Sequence, residues 1–164
     1  MAQNTKLDWT KVDHTNFTGN EPNATTTLTI TLNAIQSISV NTKDVRLIYN
    51  TVSDYTDGVK TGWIADHLKV FSTGGYVVNV NYLPTAGGYM ENYNQIFNQV
   101  VVNVEGGASR NLSLNPIELI GSNKGDFNKF YRVNYTAGKN YAEFTKAKES
   151  RIVQATVTYT IVPK

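Results

Sequence analysis

Val153-Gln154-Ala155-Thr156-Val157-Thr158-Tyr159-Thr160-Ile161 alternates apolar and polar residues without a miss. A period of two places Val153, Ala155, Val157, Tyr159 and Ile161 on one face of a pleated strand and Gln154 with the threonines on the other. That is the pattern of a strand with one face on a core and the other in solvent, as in an antiparallel sheet. The same device recurs near the other end, where Leu28, Ile30, Leu32, Ala34, Ile38 and Val40 hold the even positions and Gln36 alone breaks the set. Two such segments bracketing a Thr- and Asn-rich chain predict an all-β protein.

Working outward, strand-like runs occupy Thr25 to Val40, Val45 to Asn50, His67 to Phe71, Tyr76 to Tyr82, Gln99 to Val104, Arg110 to Leu114, Ile117 to Ile120, Lys129 to Thr136 and Arg151 to Val162. The first run is too long for one ordinary strand: at ~3.3 Å per residue it reaches ~53 Å, against ~17–20 Å for a typical strand. It is expected to break near Asn33 or to project past its own domain. Gly74-Gly75 and Gly106-Gly107 each fall between two strand patterns and predict tight hairpins, since glycine enters positive φ without a Cβ clash. Gly87-Gly88 opens a loop, after which Tyr89, Met90, Tyr93 and Phe97 have the spacing of a short helix, and Asn140 to Glu149 is a candidate for a second. These runs predict a β-sandwich, immunoglobulin-like or jelly-roll in layout, of about eight to ten antiparallel strands. Residues 25–164 are read as that single domain and residues 1–24 as an N-terminal extension.

Composition narrows the class of function. A domain of 164 residues buries roughly 70% of the surface its unfolded chain exposes, so no disulfide is needed to hold it. With no cysteine, disulfides, thiol nucleophiles and thiolate metal sites are all excluded. Charged residues make up 17% of the chain, below the ~25% usual for soluble domains, and Thr and Asn supply much of the polar surface. That balance fits a secreted or cell-surface protein. A net charge of only +2, with its basic residues scattered, gives little support to phosphate-backbone binding, so nucleic acid is not expected as a partner. No stretch approaches the ~20 apolar residues of a transmembrane helix. Ala2-Gln3-Asn4 looks like the start of a mature exported chain, so Met1 is expected to be a replacement start with an export leader missing before it.

Chemistry-bearing motifs are sparse. His14 and His67 are the only histidines and have no metal-spaced partner. Ser53-Asp54-Tyr55-Thr56-Asp57-Gly58 has a calcium-loop flavour but lacks the full ligand pattern and reads as an Asp-Gly turn. The glutamates are spread over separate segments, and there is no nucleophile elbow, P-loop or dinucleotide fingerprint. No catalytic residue, cofactor or metal is therefore expected. Four Asn-x-Ser/Thr matches are unremarkable in so Asn- and Thr-rich a chain.

Two kinds of residue remain as site candidates. Tyr55, Trp63, Tyr89, Tyr93 and Tyr141 fall in expected loops, where amphipathic rings suit sugar stacking or a protein interface. The open edge of a sandwich is the second opportunity, because another chain's extended segment can pair with it. Candidate donors are the lead segment, with Leu7, Trp9 and Val12, and the overlong run, with Leu28, Ile30 and Leu32.

The motifs Leu32 to Val40, Val45 to Asn50, the Asp54 to Gly58 turn, His67 to Val80 with its Ser72-Thr73-Gly74 turn, and the terminal Thr156 to Ile161 strand resemble a group of bacterial secreted single-domain β-proteins. That group is distantly similar to spore-coat-U-type and chaperone-usher pilin domains. The resemblance covers most of Thr25 to Val162 and implies an immunoglobulin-like fold, export, and assembly of identical copies into surface fibres by donated strands. Unlike many usher-type pilins, the chain has no cysteine and so no disulfide. The expected function is a secreted structural subunit that forms a homopolymer; the alternative is a monomeric adhesin or carbohydrate-binding module that takes surface glycans on its aromatics.

Overall fold

The computed structural model describes residues 24–85, 96–138 and 152–164. Backbone contacts divide the chain into Met1–Leu32 and Asn33–Lys164. Of the first unit, residues 24–32 are described; they form neither helix nor strand. The second unit is an all-β sandwich. Its elements are β1 (Gln36–Val40), α1 (Val52–Asp57), β2 (Val59–Lys60), β3 (Ile64–Ser72), β4 (Tyr76–Pro84), β5 (Val100–Val104), β6 (Ser109–Asn111), β7 (Ile117–Ser122), β8 (Asp126–Ala137) and β9 (Ala155–Pro163).

One sheet has six strands in the order β1-β3-β8-β5-β6, with β2 also paired to β8; the other has three, in the order β7-β4-β9. Every pairing among the described residues is antiparallel. The core between the sheets comes from alternate residues, as a period of two requires. Leu68 and Val70 of β3, Tyr131, Val133, Tyr135 and Ala137 of β8, and Val100, Val102 and Val104 of β5 meet Tyr76, Val78, Val80 and Tyr82 of β4, Leu119 of β7 and Tyr159 of β9. In β9 the alternation seen in the sequence is realised: Tyr159 is buried, Ala155, Val157 and Ile161 are half-buried, and Thr156, Thr158 and Thr160 are exposed.

Several elements differ from the sequence reading. The run from Thr25 to Val40 is a strand only over β1. Its partner ends there: Gln36 lies opposite Ser72, Thr73 N–H still donates to Ile35 O, and past Thr73 the chain turns away to the other sheet. Among the described residues no ladder reaches the alternating residues before Ile35, and they form no strand. Gln36, the break in the apolar set, turns its amide onto Ser72 Oγ at 3.1 Å and Gly75 O at 3.4 Å. Val45, Leu47 and Tyr49 do bury alternate side chains against the core, but Val45 to Asn50 does not form a strand.

Gly74-Gly75 is not a hairpin. β3 and β4 belong to different sheets, so the link between them is a corner, and neither glycine has positive φ. Gly75 instead makes a close approach, where a Cβ would stand 3.2 Å from Ser122 O. Gly106-Gly107 does close a hairpin, between β5 and β6, with Gly106 at φ +73°. The Ser53–Gly58 turn is the helix α1: Thr51 caps it by accepting from Asp54 N–H, while the Asp54 carboxylate accepts from the N–H of Asn50 and Thr51 at 2.8 and 2.7 Å. Beyond Asn111, Leu112 still donates its N–H to Val100 O at 2.8 Å while burying its side chain in the core.

Candidate functional site

Among the described residues, β9 has a strand on one side only. Thr85 N–H donates to Gln154 O and Lys164 N–H to Gly75 O, which fixes the phase of the β4–β9 ladder. Antiparallel alternation then points the N–H and C=O of Ala155, Val157, Tyr159 and Ile161 away from β4, toward the open flank. The same reasoning applies to β1. Asn41 N–H donates to His67 O and Thr73 N–H to Ile35 O, so Gln36, Ile38 and Val40 present their backbone groups to the side away from β3. β1 and β9 come close to each other across the two layers, so both free edges lie on one flank of the sandwich.

In a constant-type immunoglobulin sandwich one sheet reads A-B-E-D and the other C-F-G. Here β1, β3, β8 and β5 follow the order A-B-E-D, and β4 and β9 stand as C and F, with β7 added on the far side of β4. The place of the last strand, beside β9, holds no strand among the described residues. A nine-residue edge is long for a natural sandwich. Edges are usually blunted by shortness, charge, proline or a bulge, and here only Pro163 and Lys164 at the very end do so.

The second candidate surface is the outer face of the six-stranded sheet. Trp63 is 47% exposed, Phe130 48% and Phe127 70%. Phe71 and Phe127 pack with ring centroids 5.2 Å apart, Lys69 Nζ lies 5.6 Å from the Phe130 centroid, and Arg132 Cζ lies 5.9 Å from that of Trp63. Arg132 also pairs with Glu105 at 3.0 Å. Next to this strip Asn103 Nδ2 and Thr136 Oγ1 both donate to Asn134 Oδ1, at 3.2 and 2.9 Å. The face therefore combines apolar rings with amides and hydroxyls.

Of the residues singled out from sequence, Trp63 lies on this face. Tyr55 does not: it sits on α1 with its ring 5.1 Å from that of Tyr49. Leu28, Ile30 and Leu32 are 82%, 72% and 89% exposed. Leu7, Trp9, Val12, Tyr89, Tyr93 and Tyr141 lie outside the described residues. Sequence reasoning missed Phe127 and Phe130, because they precede and interrupt the alternation of β8. Their signal was Asp126-Phe127-Asn128-Lys129-Phe130, two aromatics among polar residues with no apolar partner at period two.

Two buried polar clusters tie the sheets together. Tyr76 Oη donates to Asp126 Oδ2 at 2.7 Å and lies 2.6 Å from Tyr131 Oη, while Lys129 Nζ stands 3.6 Å from the same carboxylate. Burial, then the bonds to Tyr131 and Asp126, push the Tyr76 phenol far up. At the other end His67 Nε2 lies 2.9 Å from Tyr135 Oη, which lies 2.5 Å from Tyr159 Oη. Burial pushes Tyr135 up to about 12, raises Tyr159 further and lowers His67. No group of metal-binding side chains converges among the described residues, and no helix among them is long and apolar enough to cross a membrane.

No protein-family model matches the chain, and a comparison with curated proteins finds no match.

Proposed function

We propose that the protein is a structural subunit that assembles with copies of itself through sheet edges, the segment Thr25 to Asn33 of one copy adding as a strand beside β9 of the next. The observation that carries this reading is the nine-residue edge of β9, whose outward backbone groups at Ala155, Val157, Tyr159 and Ile161 have no strand partner among the described residues. The donor is supported by the exposure of Leu28, Ile30 and Leu32 at alternate positions. Backbone pairing supplies affinity, and apolar side chains set the register. A homopolymer of this kind suits a secreted or cell-surface fibre of pilus or matrix type, in keeping with the low charge and the Thr- and Asn-rich surface. The reading is non-enzymatic and calls for no cofactor.

Negative-stain microscopy with light scattering tests it. Filaments or large species from the full chain are expected, with assembly suppressed by an added peptide spanning Thr25 to Asn33. A chain that stays monomeric at high concentration overturns the proposal.

A second reading is favoured by the exposed ring strip of Trp63, Phe127 and Phe130: a monomeric adhesin or carbohydrate-binding module whose sugar stacks on those rings. Retention on a polysaccharide by a monomer, lost in Trp63→Ala with the fold intact, is its signature.

A further inference from the structure

His67 faces the core although its place in β3 assigns it to the opposite face. Leu68, Val70 and Ser72 point inward and Lys69 and Phe71 outward, so strict alternation would send His67 out with Lys69. A bulge reverses it. Between the pairs Ile64↔Val133 and Leu68↔Tyr131, Ala65, Asp66 and His67 stand opposite Arg132 alone, and Asp66 takes φ +51°. Bulges of this kind re-aim a side chain, and positive φ at a non-glycine residue costs about 1 kcal/mol or more. Here the side chain brought in is a titratable one, 1% exposed.

Its surroundings suit only the neutral ring. Nε2 bonds to Tyr135 Oη, which continues to Tyr159 Oη on β9, and Nδ1 is buried with no hydrogen-bond partner among the described residues. Both phenol rings stand edge-on to the imidazole, with centroids 5.7 and 6.0 Å away. Protonation makes both nitrogens donors. Nε2–H would then hold Tyr135 Oη as acceptor, while Nδ1–H would have none. Among the described residues no anion balances the charge. Asp66 on the same strand is exposed, as are Lys43, Asp44 and Arg46 in the segment after β1; β1 carries no ionisable side chain. From β8 and β9 the groups that meet the ring are the Tyr135 and Tyr159 phenols, which burial keeps protonated through the acid range. The ion pairs among the described residues, Lys129–Asp126 and Arg132–Glu105, do not include His67.

We propose that His67 is an acid-sensitive latch: in neutral form it closes the chain of hydrogen bonds from β3 through Tyr135 to Tyr159, and on protonation its uncompensated charge and orphaned Nδ1–H favour opening of this cluster to water, which loosens the edge strand β9 from the sandwich. The latch is independent of whether copies assemble. Its sign follows from linkage. With the folded ring held below its ordinary value by burial, the unfolded chain binds more protons as pH falls below about 6.5, and stability is lost from there down to the folded-state pKa.

Denaturant unfolding of the full chain at pH 7.5 and 5.0, beside His67→Gln, tests this. Glutamine keeps a polar group near Tyr135 but does not titrate. The wild type should lose several-fold more of its folding equilibrium constant than the variant, with a ceiling of about thirtyfold set by the ordinary imidazole value. Amide exchange at Thr156, Thr158 and Thr160, normalised for intrinsic rate, should lose protection in acid only in the wild type. The wild-type ring titration by NMR, assigned with His14→Gln, decides the matter even if His67→Gln fails to fold. A midpoint at or above the ordinary imidazole value overturns the latch, as does equal pH dependence in the two proteins.

Discussion

Tyr135 of β8 and Tyr159 of β9 meet through their phenol oxygens at 2.5 Å, and this contact joins the middle of the six-stranded sheet to the edge of the three-stranded one. Tyr135 is the hinge of the cluster, since it also holds His67 Nε2. Tyr159→Phe removes one bond and leaves Tyr135 with His67, so a loss of about 1 kcal/mol is expected. Tyr135→Phe strands both His67 and Tyr159 and should cost about 2–3 kcal/mol. Denaturant midpoints for the two single variants and the double variant give the coupling; equal single-variant losses would contradict this account.

The faces of β9 make a second comparison. Val157 is half-buried and packs on the core, whereas its neighbour Thr158 is exposed. Val157→Asp forces a carboxylate against apolar neighbours and should cost about 3 kcal/mol, while Thr158→Asp should stay within about 0.5 kcal/mol. Thermal unfolding separates the pair by several degrees. Coincident transitions would mean that the strand is turned the other way.

These faces were legible in the sequence because β9 is regular along its whole length. So was the existence of most strands, since their apolar alternation survives into the sandwich. What escaped was set by pairing partners rather than by local pattern. Leu28 to Ala34 alternates as well as β9 does, yet the ladder of β3 ends at Ser72 and this stretch is not a strand. Gly74-Gly75 has hairpin composition, but the strands that it joins belong to opposite layers. His67 would be placed outward by its parity, and a bulge defined by distant partners on β8 turns it in. The outer aromatic strip was legible only at Trp63, since Phe127 and Phe130 join it through register with Phe71 and Lys69.

The two corners at one end of the sandwich predict a glycine contrast. A Cβ on Gly125 would lie 2.5 Å from Ser72 O and 2.8 Å from Thr73 C, both backbone atoms, whereas one on Gly74 meets nothing within 4 Å. Gly125→Ala must push the two crossovers apart and should lower stability by about 2 kcal/mol or more. Gly74→Ala, at a residue without positive φ, should be neutral or mildly stabilising through the unfolded chain. Calorimetry on the two variants checks the order.

Acid should act on α1 through Asp54. Bonds from the backbone N–H of Asn50 and Thr51, then from the Thr51 side chain, hold its carboxyl below the ordinary aspartate value of 3.8. A depressed carboxylate contributes its stabilisation above the unfolded-state pKa and loses it as pH falls through the folded one. The amide resonances of Asn50 and Thr51 should therefore shift together below pH 3.8, and Asp54→Asn should abolish that transition while the sandwich remains folded. Shifts that persist in the variant would assign the transition elsewhere.

The assembly proposal turns on which face of the Thr25 to Asn33 segment enters the neighbour. If Leu28, Ile30 and Leu32 insert beside β9, replacing Ile30 and Leu32 together with Asp places two carboxylates against the half-buried Val157 and Ile161 and should stop filament growth. The intervening threonines Thr29 and Thr31 would face outward, and the same double replacement there should be tolerated. Because Leu28, Ile30 and Leu32 are exposed in the single copy, neither variant should change the unfolding midpoint of the sandwich. Length by microscopy and mass by light scattering read the outcome. Filaments unaffected by either variant would reject this segment as the donor, and loss of growth in both would show that its polarity, not an inserted apolar face, governs assembly.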